Sequence, residues 1–297
     1  MSFANITSAQ VKLSFNPEQG KKYEYQTEVV QNIKQIANGR ELPREEKVRM
    51  TYLMNIINKN PSETEVQFTY QEISYVMSSP MGKWGYDSKK PFENPTNLNN
   101  ANERLASLEK MHERIFGSAI GKTFSVEIAP DGSVKSVSGM NAISESMTKA
   151  VANDGEMGAS LSSTMIRQYF SENAIKEMIE QSWKNYPVSE VKIGESWNME
   201  NKWGEVPNMI TITKPKYTLE DFNNDMANIT IEADVEVEMT GGKLTGNQLG
   251  TLRVYSKTGI PVSSDWSRSV KGNVNSMGMN MEMEVAHKTK TSTKEIN

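Results

Sequence analysis

Two histidines, His112 and His287, are the only side chains in this sequence that could supply imidazole chemistry, and the chain contains no cysteine. His112 falls on the apolar stripe of a helical pattern, and His287 lies near a polar tail. Neither histidine has a nucleophile motif or a third partner, which a Ser–His–acid site requires. The absence of cysteine excludes disulfide bonds, thiol chemistry and cysteine-ligated zinc or iron–sulfur centres. The sequence therefore predicts a protein that is not an enzyme and has no catalytic residues.

Two short motifs resemble ion-binding loops, and each departs from the required pattern. Residues 221–225, followed by Glu232, have the carboxylate spacing of a calcium loop, but Met226 stands where the sharp turn needs glycine. Residues 117–123 resemble a phosphate-binding loop, but only three residues separate the two glycines. That motif must also follow a strand and begin a helix, and here the order is reversed. We predict an inter-strand turn and a helix end at these places, with no metal site and no cofactor.

The remaining candidate is a binding site formed by apolar side chains. The chain has 19 methionines, which either fill irregular space in the core or form a deformable lining for an apolar ligand or partner. The turn-rich stretch 78–97 carries large apolar side chains that a plain solvent loop would not need. We predict that this loop meets the helical middle of the chain and forms a binding surface. The predicted binding residues are Met81, Trp84, Tyr86, Tyr169, Phe170 and Trp183. The alternative is that Trp84 and Tyr86 fasten the loop to the core.

The elements that would position these residues are mostly strands. Residues 229–239 alternate between apolar and acidic or polar side chains, which is typical of a strand with one buried face. Several other segments alternate in the same way, and one of them slips by a residue at Gln71-Glu72, which predicts a β-bulge. A helical spacing covers Asn99–Phe116, and Gly117 is expected to end that helix.

The middle of the chain is predicted to be helical. Ile143, Met147 and Val151 are four residues apart. A polar stretch at 153–160 is expected to interrupt the helix. Beyond it, residues 161–183 indicate either one bent helix or two, and Pro187 closes the segment.

Two pairs of segments suggest an internal duplication. The hairpin at 121–139 turns at Asp131-Gly132, a strong tight-turn signal, and a related hairpin at 250–266 turns near Gly259. The segment 20–25 has the same order of glycine, polar, aromatic and apolar residues as the segment 194–199. Such self-similarity predicts two related halves.

We therefore predict an α+β fold, mainly antiparallel β, in which two related curved sheets have a helical segment between the halves. Whether the two sheets join into one surface stays open. The predicted division is a first β half at 1–139 with an inserted loop and helix at 78–117, a helical connector at 140–187, and a second β half at 188–297.

Composition narrows the class of protein. The chain of 297 residues has 36% apolar and 24% charged residues, as a folded globular protein does. Its formal charge of −4 argues against a nucleic-acid partner, which needs a concentrated basic surface. No stretch is apolar for long enough to predict a transmembrane segment. The N-terminal sequence lacks the basic and apolar regions of a leader peptide, so we expect a cytoplasmic protein if Met1 is native, or an exported one whose leader was removed.

The entry to a strand at Gly194-Glu195-Ser196-Trp197, the hairpin through Pro130-Asp131-Gly132, and the late Lys257-Thr258-Gly259 turn resemble an uncharacterised family of exported bacterial proteins. That family is a domain of unknown function, often with a signal peptide or a lipoprotein leader. It favours Asp where Glu195 stands. The chain has no lipid-acceptor cysteine, so the lipid anchor is not carried over. The resemblance supplies no catalytic residues.

The resemblance implies a non-enzymatic cell-envelope protein in the periplasm or at the cell surface. Together with the apolar side chains above, it leads us to expect a protein that binds an apolar small molecule or a partner protein of the envelope. The alternative is a hydrolase-like enzyme, which a deep pocket with convergent polar groups and a perturbed carboxylate or histidine would favour.

Overall fold

Antiparallel strands make up most of the structure, a computed structural model that describes residues 10–91, 99–206, 209–276 and 279–296. The strands are β1 Gln10–Val11, β2 Lys22–Ala37, β3 Arg40–Lys59, β4 Thr64–Ser79, β5 Gly82–Asp87, β6 Thr123–Ile128, β7 Val134–Ser138, β8 Val191–Lys192, β9 Ser196–Asn198, β10 Asn201–Val206, β11 Met209–Asn223, β12 Met226–Met239, β13 Gly242–Tyr255, β14 Ile260–Ser276 and β15 Met279–Ile296. The helices are α1 Asn99–Gly117, α2 Met140–Ala150, α3 Gly155–Tyr169 and α4 Glu172–Trp183. Period-2 alternation determines which side chains are buried: in β12, Ile229 and Ile231 are buried, whereas Glu232 is exposed.

Thirteen of the described strands form one sheet. Its order is β10-β11-β12-β13-β14-β15-β2-β3-β4-β6-β7, with β5 added to β4 and β9 added to β11. Strand β15 pairs with β14 on one side and with β2 on the other, so it joins the two predicted halves. The predicted mainly antiparallel fold is confirmed. The sequence left open whether the two sheets join, and the structure has a single sheet, with β1 and β8 as a separate small pair.

The helical segment packs on one face of this sheet. Helix α4 contacts β7, β10 and β14, which include the two ends of the strand order. Because one helix touches both ends, the sheet must curve around it. The main hydrophobic core contains Tyr25 from the first β half, Trp183 from the connector and Ile229 from the second β half.

A second, smaller hydrophobic cluster lies farther along the same strands. It consists of Val235, Val237, Leu244, Val270 and Val274, all of which are strand residues. Between the two clusters, the same face of the sheet carries polar side chains such as Gln31, His287 and Arg268.

Several local predictions are confirmed. The β3–β4 ladder pairs Thr51 with Glu72 and Tyr52 with Tyr70, so one residue is skipped at the predicted bulge. Helix α1 ends at Gly117, and the 161–183 stretch forms two helices rather than one bent helix. The second of these, α4, is capped at its N-terminus by Ser171, whose hydroxyl accepts a hydrogen bond from the backbone N–H of Ala174 at 3.1 Å.

Two local predictions are wrong. The stretch predicted to be a loop contains β5, because a turn at Pro80-Met81 returns the chain along the edge of β4. Gly82 permits that turn, since its φ of 128° lies in a region that other residues rarely adopt. The interruption expected at 153–160 is shorter than predicted, because α3 already begins at Gly155. Residues 92–98 of the predicted insertion lie outside the described residues.

Two glycine turns make the same backbone contacts. The N–H of Gly20 donates to the carbonyl of Ile56, and the N–H of Ile56 donates back to Lys21. In the same way, the N–H of Gly194 donates to Leu219, and the N–H of Leu219 donates back to Glu195. Both glycines have a φ of 85°. The matched sequence segments therefore begin with the same turn.

Candidate ligand-binding cavity

The six side chains that the sequence proposed for ligand binding occupy different environments. Phe170 and Trp183 are fully buried in the core, and Trp84 is only 9% exposed. Met81, in contrast, is 70% exposed. Tyr86 packs against the core with its ring stacked on Phe116 at 6.0 Å between centroids. Tyr169 is the one of the six that lines the cavity described next.

Trp84→Ala tests the proposed surface directly. Because Trp84 belongs to the core cluster and pairs with Met77 across β4 and β5, we expect the variant to lose about 3 kcal/mol of unfolding free energy. Urea denaturation measures that loss, and binding of Nile red measures the effect on the surface. Unchanged stability together with weaker dye binding would show that Trp84 belongs to a binding surface.

A cavity of about 320 Å³ lies between the α3–α4 segment and the face of the sheet. Val29, Val48 and Met50 contribute apolar groups from β2 and β3, and Met178 does so from α4. This volume lies at the lower end of the range for small-molecule sites, which are typically apolar with a few polar groups that fix orientation.

The register of five strands places a row of polar side chains beside this apolar surface. Glu46 lies opposite Gln31, and Gln31 lies opposite His287. His287 lies opposite Arg268, which lies opposite Gln248. Alternation puts every second residue of a strand on the same face, so the five side chains share the face that the helices cover. The first three members of the row line the cavity.

The acidic end of the row is bonded to α3. Glu46 is only 4% exposed, and the hydroxyl of Tyr169 donates to its carboxylate at 2.6 Å. Burial, and secondarily the neighbouring Glu46, raise the pKa of Tyr169 well above its ordinary value. Tyr169 therefore stays neutral and acts as the donor, which satisfies one oxygen of a buried carboxylate.

The basic end of the row is an aromatic and cationic group. The ring of His287 stacks on Trp266 at 5.1 Å between centroids, with 7° between the planes. The guanidinium of Arg268 lies over the ring of Trp266, 5.2 Å from its centroid, a cation–π distance. Nε and Nη2 of Arg268 donate to Oε1 of Gln248 at 3.2 and 2.8 Å. Burial lowers the pKa of Arg268 to about 10, so the group stays charged at neutral pH.

His287 is expected to make stability depend on pH. Burial, and secondarily the charge of Arg268, lower its pKa in the folded state to about 4, against about 6.5 for an unfolded chain. Between these two values the unfolded chain binds a proton that the folded protein does not, so stability falls as the pH drops from 6.5 towards 4. Allowing for the partial exposure of the ring, we expect a loss of about 1–3 kcal/mol.

Urea denaturation of wild type and of His287→Gln, at about pH 7 and about pH 4, measures this effect. The difference between the two proteins isolates His287 from the carboxylates and from His112, whose pKa burial also lowers. An equal loss in both proteins would contradict the expectation.

The two motifs that resemble ion-binding loops connect secondary-structure elements instead. Asn224 and Asp225 occupy the tight turn between β11 and β12 with positive φ, and Asp225 makes an ion pair with Lys257 at 2.6 Å. The predicted inter-strand turn is thus confirmed. The stretch at 117–123 connects the end of α1 to the start of β6, as predicted. Within the described residues, no cluster of three or more His, Asp or Glu side chains could hold a metal ion.

None of the described helices combines the length and apolar character needed to cross a bilayer.

Sequence reasoning missed Glu46, Trp266 and Arg268. Each follows the ordinary alternation of a strand, so nothing in its local sequence distinguishes it from a surface residue. Only the strand register shows that Arg268 and His287 are neighbours and that Gln31 links them to Glu46.

Solved structures resemble the chain only in part. A lipovitellin structure titled for its lipid–protein interactions matches with a TM-score of 0.49 and 8% identity, over 93% of this chain and 25% of that one, so the chain spans about a quarter of that protein. An outer membrane channel from Pseudomonas putida F1 matches over 99% of this chain and 100% of that one, with 7% identity and a TM-score of 0.20. DynF, from the dynemicin biosynthesis pathway of Micromonospora chersina, matches over 97% and 91%, with 6% identity and a TM-score of 0.21.

No curated protein matches the sequence significantly. A family profile, however, matches residues 61–294, which is most of the chain, including the whole helical segment and most of both β halves. The predicted membership of an uncharacterised family is thereby confirmed, and the chain belongs to the family of unknown function DUF6263.

Proposed function

We propose that the protein binds an apolar small molecule, without chemical turnover, in the cavity between the α3–α4 segment and the sheet. The observation that carries this proposal is the cavity itself, in which Val29, Val48, Met50 and Met178 line one partly open space. Val48 and Met50 are only 4% exposed, so a ligand would mainly remove the rest of this apolar lining from water.

Methionines give the cavity an adaptable lining. Met50 and Met178 lie inside it, and Met209 lies at its border with half of its surface exposed. Because methionine is unbranched and polarizable, it repacks around apolar groups of different shape at small cost. We infer that the site accepts a range of apolar ligands rather than one rigid molecule.

A pair of phenylalanine substitutions on α4 tests the proposal. Ala174 lines the cavity, whereas Lys176 is exposed on the same helix. Ala174→Phe is expected to fill the space and to weaken Nile red binding at least tenfold. Lys176→Phe adds the same ring outside the cavity and is expected to leave the affinity unchanged. Equal dye binding in both variants, with both proteins folded, would contradict the proposed site.

A hydrolase-like activity is the second candidate, because one hydroxyl–imidazole pair lines the cavity. Nε2 of His287 and the hydroxyl of Thr289 are 2.9 Å apart. A general base must accept a proton during the reaction, and an efficient one has a pKa near the working pH. The pKa of about 4 makes His287 a poor proton acceptor at neutral pH. Turnover of p-nitrophenyl esters that is lost in His287→Gln would favour the enzyme over the binding protein.

We further propose that the protein acts in the cell envelope, as the resemblance to exported bacterial proteins implies. Fractionation of cells that express the complete native gene tests this placement. Recovery in the periplasm or at the surface is expected, and recovery with the cytosol would contradict it.

The two β halves are also proposed to derive from one ancestral unit. The matched glycine turns at Gly20 and Gly194 support this proposal. Superposition of residues 20–79 on residues 194–239 tests it, and a match no better than between unrelated antiparallel sheets would overturn it.

A further inference from the structure

Arg268 is a partly buried cation without an acidic partner among the described residues. None of the ion pairs in the described part of the chain includes it. Its guanidinium contacts one neutral amide, Gln248, and one aromatic ring, Trp266. Charged groups that leave water are normally paired, since an uncompensated charge is costly. An anion at Arg268 would therefore compensate a charge that is partly removed from water.

The acidic residues on β14, β15 and β3 do not supply that anion. Asp265 is on the same strand as Arg268, but alternation places it on the opposite face, where it makes ion pairs with Lys288 and Lys290. Glu284, on the neighbouring strand, also lies on the outer face of the sheet, because it alternates with the inner residues Met283 and Val285. Glu46 belongs to the same row, but it is three strands away, on the order of 14 Å at the usual strand spacing.

One nitrogen of Arg268 is available to a ligand. Nε and Nη2 are engaged by Gln248, whereas Nη1 has no hydrogen-bond partner among the described residues. The side chain keeps intermediate exposure, so a small group can reach it. A planar guanidinium with a free N–H edge is suited to a carboxylate, to which it donates charge-assisted hydrogen bonds.

The cationic group adjoins the proposed cavity. Trp266 and His287 both line the cavity, and both are immediate neighbours of Arg268. Arg268 itself does not line the cavity, so the head of a ligand whose tail lies between Val48 and Met178 would reach it past the rings of Trp266 and His287.

We infer that the cavity takes an amphiphile with an apolar tail and a monoanionic carboxylate head, and that the head binds at Arg268. This inference rests on the proposed function of the same cavity. A single guanidinium balances one negative charge, which favours a monoanionic head over a doubly charged one such as a phosphate monoester. A saturated fatty acid has the required chemistry.

Calorimetric titration with decanoate and with decanol at neutral pH tests the inference, because the two ligands share a tail and differ in head charge. Wild type is expected to bind decanoate at least tenfold more tightly, as one charge-assisted hydrogen bond would give. Arg268→Gln is expected to remove that preference by weakening decanoate alone. Arg253→Gln is the matched control, since Arg253 is exposed on β13 and is not one of the residues that line the cavity. This variant is expected to keep the preference.

The outcomes separate the two proposals. If wild type binds neither ligand, the proposed function fails and the inference fails with it. If it binds both with equal affinity, the proposed function stands and the inference is overturned. A preference that survives Arg268→Gln, or that disappears in Arg253→Gln, would place the head elsewhere and also overturn it.

A second variant covers the case in which Arg268→Gln does not fold. Arg268→Lys keeps the charge but loses the planar fork, so decanoate affinity is expected to fall severalfold while decanol affinity stays the same. Unchanged decanoate affinity in this variant would contradict a head group held by Arg268.

Discussion

Trp183→Ala is expected to lose about 5 kcal/mol of unfolding free energy, at the upper end of the range for removal of a large core side chain. Trp183 is fully buried at the C-terminal end of α4. Its ring lies 4.9 Å from that of Phe15, 6.0 Å from Tyr25 and 6.3 Å from Phe68, measured between centroids. These partners come from the N-terminal segment and from two strands, so the cavity left by alanine would loosen several elements at once.

Urea denaturation followed by circular dichroism measures this loss. Trp183→Phe should cost less, because a ring still fills part of the space. Lys176→Ala, at an exposed position of the same helix, should change stability by no more than about 0.5 kcal/mol. A loss below about 1.5 kcal/mol for Trp183→Ala would mean that α4 is not anchored by this residue.

Gly132→Ala is expected to lose about 4 kcal/mol, for two separate reasons. Gly132 has a φ of 81°, and a residue with a Cβ pays about 1–2 kcal/mol to adopt that conformation. In addition, a Cβ at this position would lie 1.9 Å from the carbonyl oxygen of Trp183. The hairpin and the end of α4 would have to separate, with a further cost of the order of 1–3 kcal/mol.

Gly20→Ala separates these two contributions. Gly20 has a φ of 85°, and no atom lies within 4 Å of the place where its Cβ would stand. It should therefore lose only the conformational part, about 1–2 kcal/mol. Thermal or urea denaturation measures both losses. Equal losses in the two alanine variants would show that the close contact between residue 132 and the carbonyl of Trp183 does not affect stability.

The part of the fold that the sequence predicts is the part that depends on neighbours along the chain. Alternation over residues 229–239 predicts β12 and its buried face, and the slip at Gln71 predicts the bulge. Strand β5 was missed, because Pro80, Gly82 and Gly85 suggest a turn and only the free edge of β4 makes a strand there favourable. The single sheet could not be predicted, since it depends on β15 pairing with β2 from the other end of the chain.

The residues of the candidate site are even harder to predict from neighbours along the chain. Phe170 and Trp183 are large apolar groups in a helical segment, a pattern that fits a binding surface as well as a core, and the structure places both in the core. His287 and Arg268 become neighbours through the register of β14 against β15. That register is set by the hydrophobic faces of both strands, and no local motif records it.

The pairing of β15 with β2 has a consequence for synthesis on the ribosome. Residue 22 of β2 pairs with residue 296 of β15, so β2 cannot complete its ladder until almost the whole chain described here has been made. Until then its free edge and the apolar face around Tyr25 are open to other chains, as unpaired strand edges generally are. Pairing over so long a separation is also slow. A chain that stops before residue 279 would therefore tend to aggregate rather than fold by halves.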